Sequence, residues 1–171
     1  MLFRSREVPR IRLNIDQKLD NGWLGSQAAR AAIHAWSVLA QNHNSMIVEC
    51  DGLSQPEALE KTRKELGMDL EQMRCRISQT MGSILRQLLD LGLDATLLVT
   101  GGDTLMAFMD QIGQNELVPI CELTAGVVLS QITYRGHSYN LLSKSGGFGT
   151  AELLENLEKL LMNDQKEKIV C

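Results

Sequence analysis

The feature that most restricts this chain is the run Ala95-Thr-Leu-Leu-Val-Thr100, which passes without a break into Gly101-Gly102-Asp103-Thr104. A continuous apolar run of this length reads as a strand buried on both faces. The next segment, from about Leu105 to Ile112, is helical in pattern and stops at Gly113. Strand, glycine turn and helix make up the repeating unit of a parallel α/β sheet, whose ligands bind at the C-terminal ends of the strands. Glycines at that junction let backbone approach a phosphate closely, and the helix start offers N–H donors and a favourable dipole. Thr104 adds a hydroxyl donor or a helix cap. Asp103 adds a carboxylate able to orient a magnesium-bound water or a ribose hydroxyl. Taken alone, the same four residues are more often a plain helix-capping turn of a kind common in α/β proteins.

A second glycine-rich segment, Lys144-Ser145-Gly146-Gly147-Phe148-Gly149, also lies between a strand pattern and a helix pattern. Lys144 can neutralise phosphate as a point charge. Ser145 and the amides of Gly146, Gly147 and Gly149 can form an anion-binding nest. The lysine precedes the glycines, so this is not a Walker A loop, and the dinucleotide pattern G-x-G-x-x-G is absent too. Two such loops at corresponding strand-to-helix junctions argue against a capping role for both. Glu122 and the turn Thr124-Ala125-Gly126 follow another strand pattern and could line a cleft, but a structural turn is the better reading.

The remaining pattern fits an α/β domain of three layers with a mixed, partly parallel sheet. Arg12 to Ile15 and Met46 to Cys50 read as strands. Ser26 caps a helix to about Asn42 with Ala28, Ala32, Ala35, Trp36 and Leu39 on one face. Ser54-Gln-Pro-Glu57 is a capping box for a helix closed by Gly67. Asp69 opens the clearest helix, with Leu70, Met73, Ile77, Met81, Ile84, Leu85 and Leu88 in a stripe and Gly92 as the stop. Beyond Gly113, Leu117–Leu123, Val127–Tyr134 and Ser138–Ser143 are strand-like, with a hairpin turn at Arg135-Gly136-His137. A last helix is expected from Ala151 to Met162, followed by a charged, frayed tail. Alternation in the first half implies parallel strands, and consecutive strands in the second half make the sheet mixed.

Length and charge narrow the partners. A chain of 171 residues with 44% hydrophobic content suits a single domain, residues 1–171, with a real core. Net charge is −4 and aromatics are 4%, with no basic stripe, so nucleic acid is not expected as a partner. No apolar run is long enough to span a membrane, and Met1–Arg12 has arginines without the apolar stretch of a secretory signal. Cys50, Cys75, Cys121 and Cys171 lie far apart, which fits reduced thiols in the cytoplasm. His34, His43 and His137 share no ligand spacing, so no metal site and no catalytic residue are assigned. Self-association is left open.

In order and about forty residues apart, Gly-Gly-Asp-Thr at 101–104 and Lys-Ser-Gly-Gly-Phe-Gly at 144–149, with Glu122 and Ala125-Gly126 between them, resemble one family. It is the C-terminal nucleotide-binding domain of the four-carbon acid sugar kinases, matched roughly from Met46 to Leu161. The resemblance implies binding of ATP with Mg2+, and phosphorylation of a four-carbon sugar acid such as a tetronate. It implies that Gly101, Gly102, Asp103 and Thr104 lie on the nucleotide phosphates or ribose. Lys144, Ser145, Gly146, Gly147 and Gly149 would form the facing wall. The family usually carries Pro-Gly where this chain has Ala125-Gly126, and its domain begins with a serine-bearing segment not recognised here. Its sugar-acid domain is also not recognised, so a separate sugar-acid-binding domain is the implied partner and turnover by this chain alone is not expected. The alternative is a non-catalytic nucleotide-sensing or assembly domain that kept the fold.

Overall fold

The computed structural model describes residues 8–19, 22–50, 56–150 and 152–164. In chain order these form β1 (Arg10–Arg12), α1 (Ile15–Leu19), a 3-10 turn (Trp23–Gly25), α2 (Gln27–Gln41), β2 (Ile47–Glu49) and α3 (Pro56–Leu66). They continue as α4 (Leu70–Asp90), β3 (Leu97–Thr100), α5 (Gly102–Ile112), β4 (Val118–Thr124), β5 (Val127–Tyr134), β6 (His137–Lys144) and α6 (Leu153–Asp164). The chain is α/β with a mixed, partly parallel sheet, as its pattern predicts. It divides into two compact units, one of Pro9–Asp94 with Asp103–Asn115 and one of Ala95–Gly102 with the residues from Glu116 on.

The first unit is mainly helical. β1 and β2 form a parallel pair of their own, with Arg10 opposite Ile47 and Arg12 opposite Glu49. Its three-residue strands are held together partly by the Glu49 carboxylate, which accepts from Arg10 at 3.2 Å and Arg12 at 2.8 Å. The strand lies two residues before the expected Arg12–Ile15, and α1 begins at Ile15. The cause is a short capping box: Gln17 N–H donates to Asn14 Oδ1 while Asn14 N–H donates to Gln17 Oε1, both at 2.9 Å.

α1 and α2 pack on α4. Asp69 caps α4 in a reciprocal box with Gln72, as expected. Met73, Ile84 and Leu88 of its stripe are buried, whereas Leu70 stands out in solvent. On α2 the buried residues are Ala29, Ile33 and Ser37, one position off the expected alanine face. Alanines give little contrast between faces, and bulky Ile33 decides which side goes inward. Gly82 of α4 meets the α5 backbone directly: a Cβ there would lie 2.7 Å from both the Ala107 carbonyl carbon and the Phe108 nitrogen. The capping box expected at Ser54 lies outside the described residues.

The second unit is a four-stranded sheet in the order β3-β6-β5-β4. β5 and β6 form an antiparallel hairpin, β4 adds antiparallel to β5 with two bulges, and β3 adds parallel to β6. Leu153 and Leu157 of α6 pack on Val127, Leu129 and Leu142, with Cys121, Leu123 and Leu161 around them. β3 is an edge strand. Leu97 and Val99 are buried, but Leu98 is 37% exposed and Thr100 is exposed, so the strand is not buried on both faces as the apolar run suggests. Cys50 is a half-buried free thiol and Cys75 an exposed one.

Candidate functional site

The parallel pairing of β3 with β6 decides where the two glycine segments go. Parallel neighbours end at the same edge of a sheet, and Thr100 stands opposite Lys144. The next residue, Gly101, takes φ +92 and donates its N–H to the Lys144 carbonyl at 3.2 Å. The chain exits at Gly101-Gly102 and Lys144-Ser145 are therefore side by side. The β4–β5 turn comes to the same edge, because Ser145 N–H donates to the Gly126 carbonyl at 2.9 Å.

Within the second loop, the Ser145 carbonyl closes a turn by accepting from Phe148 N–H at 3.4 Å. The Lys144 ammonium donates to that carbonyl at 2.9 Å. An ammonium has three donors, so two remain for an anion. Among the described residues the N–H groups of Gly146 and Gly147 enter no hydrogen bond, and both residues are exposed. Gly102 is exposed too. Asp103 and Thr104 form the first turn of α5, with Asp103 exposed and Thr104 half-buried. At the far end of the second loop Gly149 takes φ +102. The Glu152 carboxyl, at the start of α6, is held below its ordinary range, chiefly by a hydrogen bond from the Thr150 side chain and then by its own backbone.

The glycines of this edge fall into two kinds. Gly101, Gly126 and Gly149 have positive φ, which a side chain adopts at a cost. Gly102, Gly146 and Gly147 do not, and a Cβ added to any of them would touch nothing within 4 Å. Neither backbone angle nor packing asks for glycine at these three positions. Gly25 in the helical unit is equally unconstrained, so this freedom alone does not mark a site. What sets Gly146 and Gly147 apart is that their exposed amide donors lie unused beside a lysine.

The sequence singles out both loops and reads the Thr124–Gly126 turn first as structural, though able to line a cleft and part of the same family pattern. The signal for its involvement is weak: a Glu four residues before a Gly, at a strand end. Among the described residues no group of three or more His, Cys, Asp and Glu side chains is arranged to hold a metal. No helix among them is long and apolar enough to cross a membrane.

A family model described as the nucleotide-binding C-terminal domain matches residues 2–154. The chain belongs to that family. Solved structures share the fold at low identity. A Haemophilus influenzae protein of the DUF1537 family aligns with a TM-score of 0.69 and 17% identity, over 93% of this chain and 36% of its own. A Salmonella typhimurium LT2 protein gives 0.66 and 16%, over 93% and 36%. A Bordetella bronchiseptica protein, described as a domain of unknown function with bound citrate in a domain-swapped dimer, gives 0.58 and 17%, over 92% and 34%. The chain spans about a third of the length of these proteins. No curated protein sequence matches it. The family resemblance carried by the two glycine motifs thus holds.

Proposed function

We propose that this chain binds the phosphates of ATP or ADP at the shared edge of β3 and β6, and that it serves as the nucleotide-binding part of a kinase for four-carbon sugar acids. The carrying observation is the pair of chain exits tied by the Gly101–Lys144 bond, with unused amides at Gly146 and Gly147 beside the Lys144 ammonium. Backbone donors and one ammonium bind a polyphosphate without net positive charge on the chain. Gly101, Gly102, Lys144, Ser145, Gly146, Gly147 and Gly149 are the proposed contacts. Asp103 and Thr104, the next residues of the chain after Gly102, are proposed to extend them.

The residues fit a nucleotide better than a tightly held metal. Asp103 is the sole carboxylate in the two loops, so Mg2+ would arrive on the phosphates and keep most of its waters. Phosphoryl transfer needs positioning and charge neutralisation above all, which amides and an ammonium supply. No base for the acceptor hydroxyl is assigned to this chain; a separate sugar-acid-binding domain is the proposed partner. Self-association and a cytoplasmic location belong to the same proposal.

The test is calorimetric titration of the folded chain with magnesium-ATP and ADP, alongside Gly147→Val and Lys144→Ala. Valine at 147 is expected to fold normally, because the position is open, yet to block phosphate approach. Lys144→Ala removes one charge-assisted contact, worth about 1.5–3 kcal/mol. Absence of binding by the parent at millimolar nucleotide would sink the proposal. Parent-like binding by both variants would move the site elsewhere.

A further inference from the structure

Gly126 touches the Lys144–Gly149 loop in two ways at once, and Glu122 holds it from behind. The Gly126 N–H donates to Glu122 Oε1 at 2.9 Å, within one hairpin. Its carbonyl accepts the Ser145 N–H at 2.9 Å. Its bare Cα forms a seat for Phe148: a Cβ at 126 would lie 2.6 Å from both Cβ and Cγ of that side chain. These atoms are close to the Phe148 backbone, so no rotamer change relieves the clash, and the loop itself would have to move. Phe148 is 53% exposed, so what fixes it is this seat and not burial in the core. Gly126 also sits at φ +75, which keeps the turn out of reach of most other residues.

We propose that the β4–β5 turn is a clasp that sets the shape of the Lys144–Gly149 loop, with Glu122 and Gly126 as positioning residues that touch no ligand. Glu122 orients the turn, the Gly126 carbonyl anchors the loop at Ser145, and the empty side-chain space of Gly126 anchors it at Phe148. Gly146 and Gly147 lie between these two anchor points, so their N–H directions are set from both sides. The consequence for affinity rests on the nucleotide reading above; the clasp itself does not.

The experiment uses the full chain and two separate readouts. Amide hydrogen exchange resolved by residue reports the Ser145 N–H without nucleotide, and calorimetry with ADP reports affinity. Gly126→Ala is expected to speed exchange at Ser145 by about tenfold or more while Leu129 and Leu142 in the strands stay protected. ADP affinity should fall by about tenfold. Glu122→Leu removes the acceptor and should shift both readouts in the same direction by less. Glu122→Gln keeps an oxygen acceptor and should behave like the parent, which a merely electrostatic role for the carboxylate would not allow. Glu122→Leu also stands in should Gly126→Ala fold poorly. Unchanged Ser145 exchange in the folded Gly126→Ala and Glu122→Leu variants would overturn the clasp. Faster exchange with undiminished ADP affinity would overturn its positioning role. Faster Ser145 exchange in the variants, with a parent that binds no ADP, would leave the clasp standing and remove the nucleotide reading.

Discussion

The two ends of the four-stranded sheet use glycine for different purposes. At the β5–β6 hairpin, Arg135 at φ 50 and Gly136 at φ 82 make a two-residue turn, with the Arg135 guanidinium 5.4 Å from the centroid of the Tyr134 ring. A Cβ on Gly136 would meet nothing, so glycine is there for its backbone angle alone. At the opposite end, Gly126 and Gly149 need both angle and space, because a Cβ would run into Phe148 and Leu153 respectively. Gly146 and Gly147 need neither. A turn that only reverses the chain is permissive in space, and an edge that presents amides is packed at its supports and open at its donors.

Substitutions can break this contrast, and the largest loss is expected at Gly126. Gly126→Val adds a branched side chain against Phe148 at a positive φ and should cost about 2–4 kcal/mol in urea unfolding. Gly149→Ala should cost about 2 kcal/mol, since Leu153 is flexible enough to yield part of the space. Gly136→Ala should cost about 1 kcal/mol, from its backbone angle alone. Gly146→Ala and Gly147→Ala should stay within about 0.5 kcal/mol of the parent. If Gly136→Ala proves as damaging as Gly126→Val, the distinction between the two ends fails.

The smallest effect is a pH dependence at the start of α6. Glu152 titrates below its ordinary value of 4.5 in the folded chain, through Thr150 first. A depressed folded pKa stabilises above the unfolded value, and that contribution disappears as pH falls through the folded one. Thermal midpoints of the parent and Glu152→Gln should therefore differ slightly at pH 7 and converge below pH 4.5. A gap that widens on acidification would reverse the assigned sign.

Local signals were legible in the residues. Asp69 and Gly92 bracket α4 closely, and the β5–β6 hairpin falls where Arg135-Gly136 predicts. Helix α1 was hidden because one turn is too short for periodicity, leaving only the Asn14/Gln17 pair. The exposure of Leu98 was hidden because edge position depends on strand order, which no local run encodes. The two glycine loops stood out by composition, yet their meeting rests on the β3–β6 pairing, and that is a long-range fact. The link from Glu122 through Gly126 to Ser145 was invisible for the same reason. Each of its hydrogen bonds is ordinary, and only their succession ties a hairpin to a loop.

That β3–β6 pairing also bears on how the molecule assembles. The hairpin of β5 and β6 closes over two residues and can form within microseconds. β3 must instead bring Leu97 to Leu141 across a stretch of chain that includes α5 and two intervening strands. Closure over such a separation is entropically late and slow. In refolding, amides of the β5–β6 hairpin should gain protection before those of β3. A chain caught between these steps would have its hairpins formed, while Gly101 and Lys144 were still strangers.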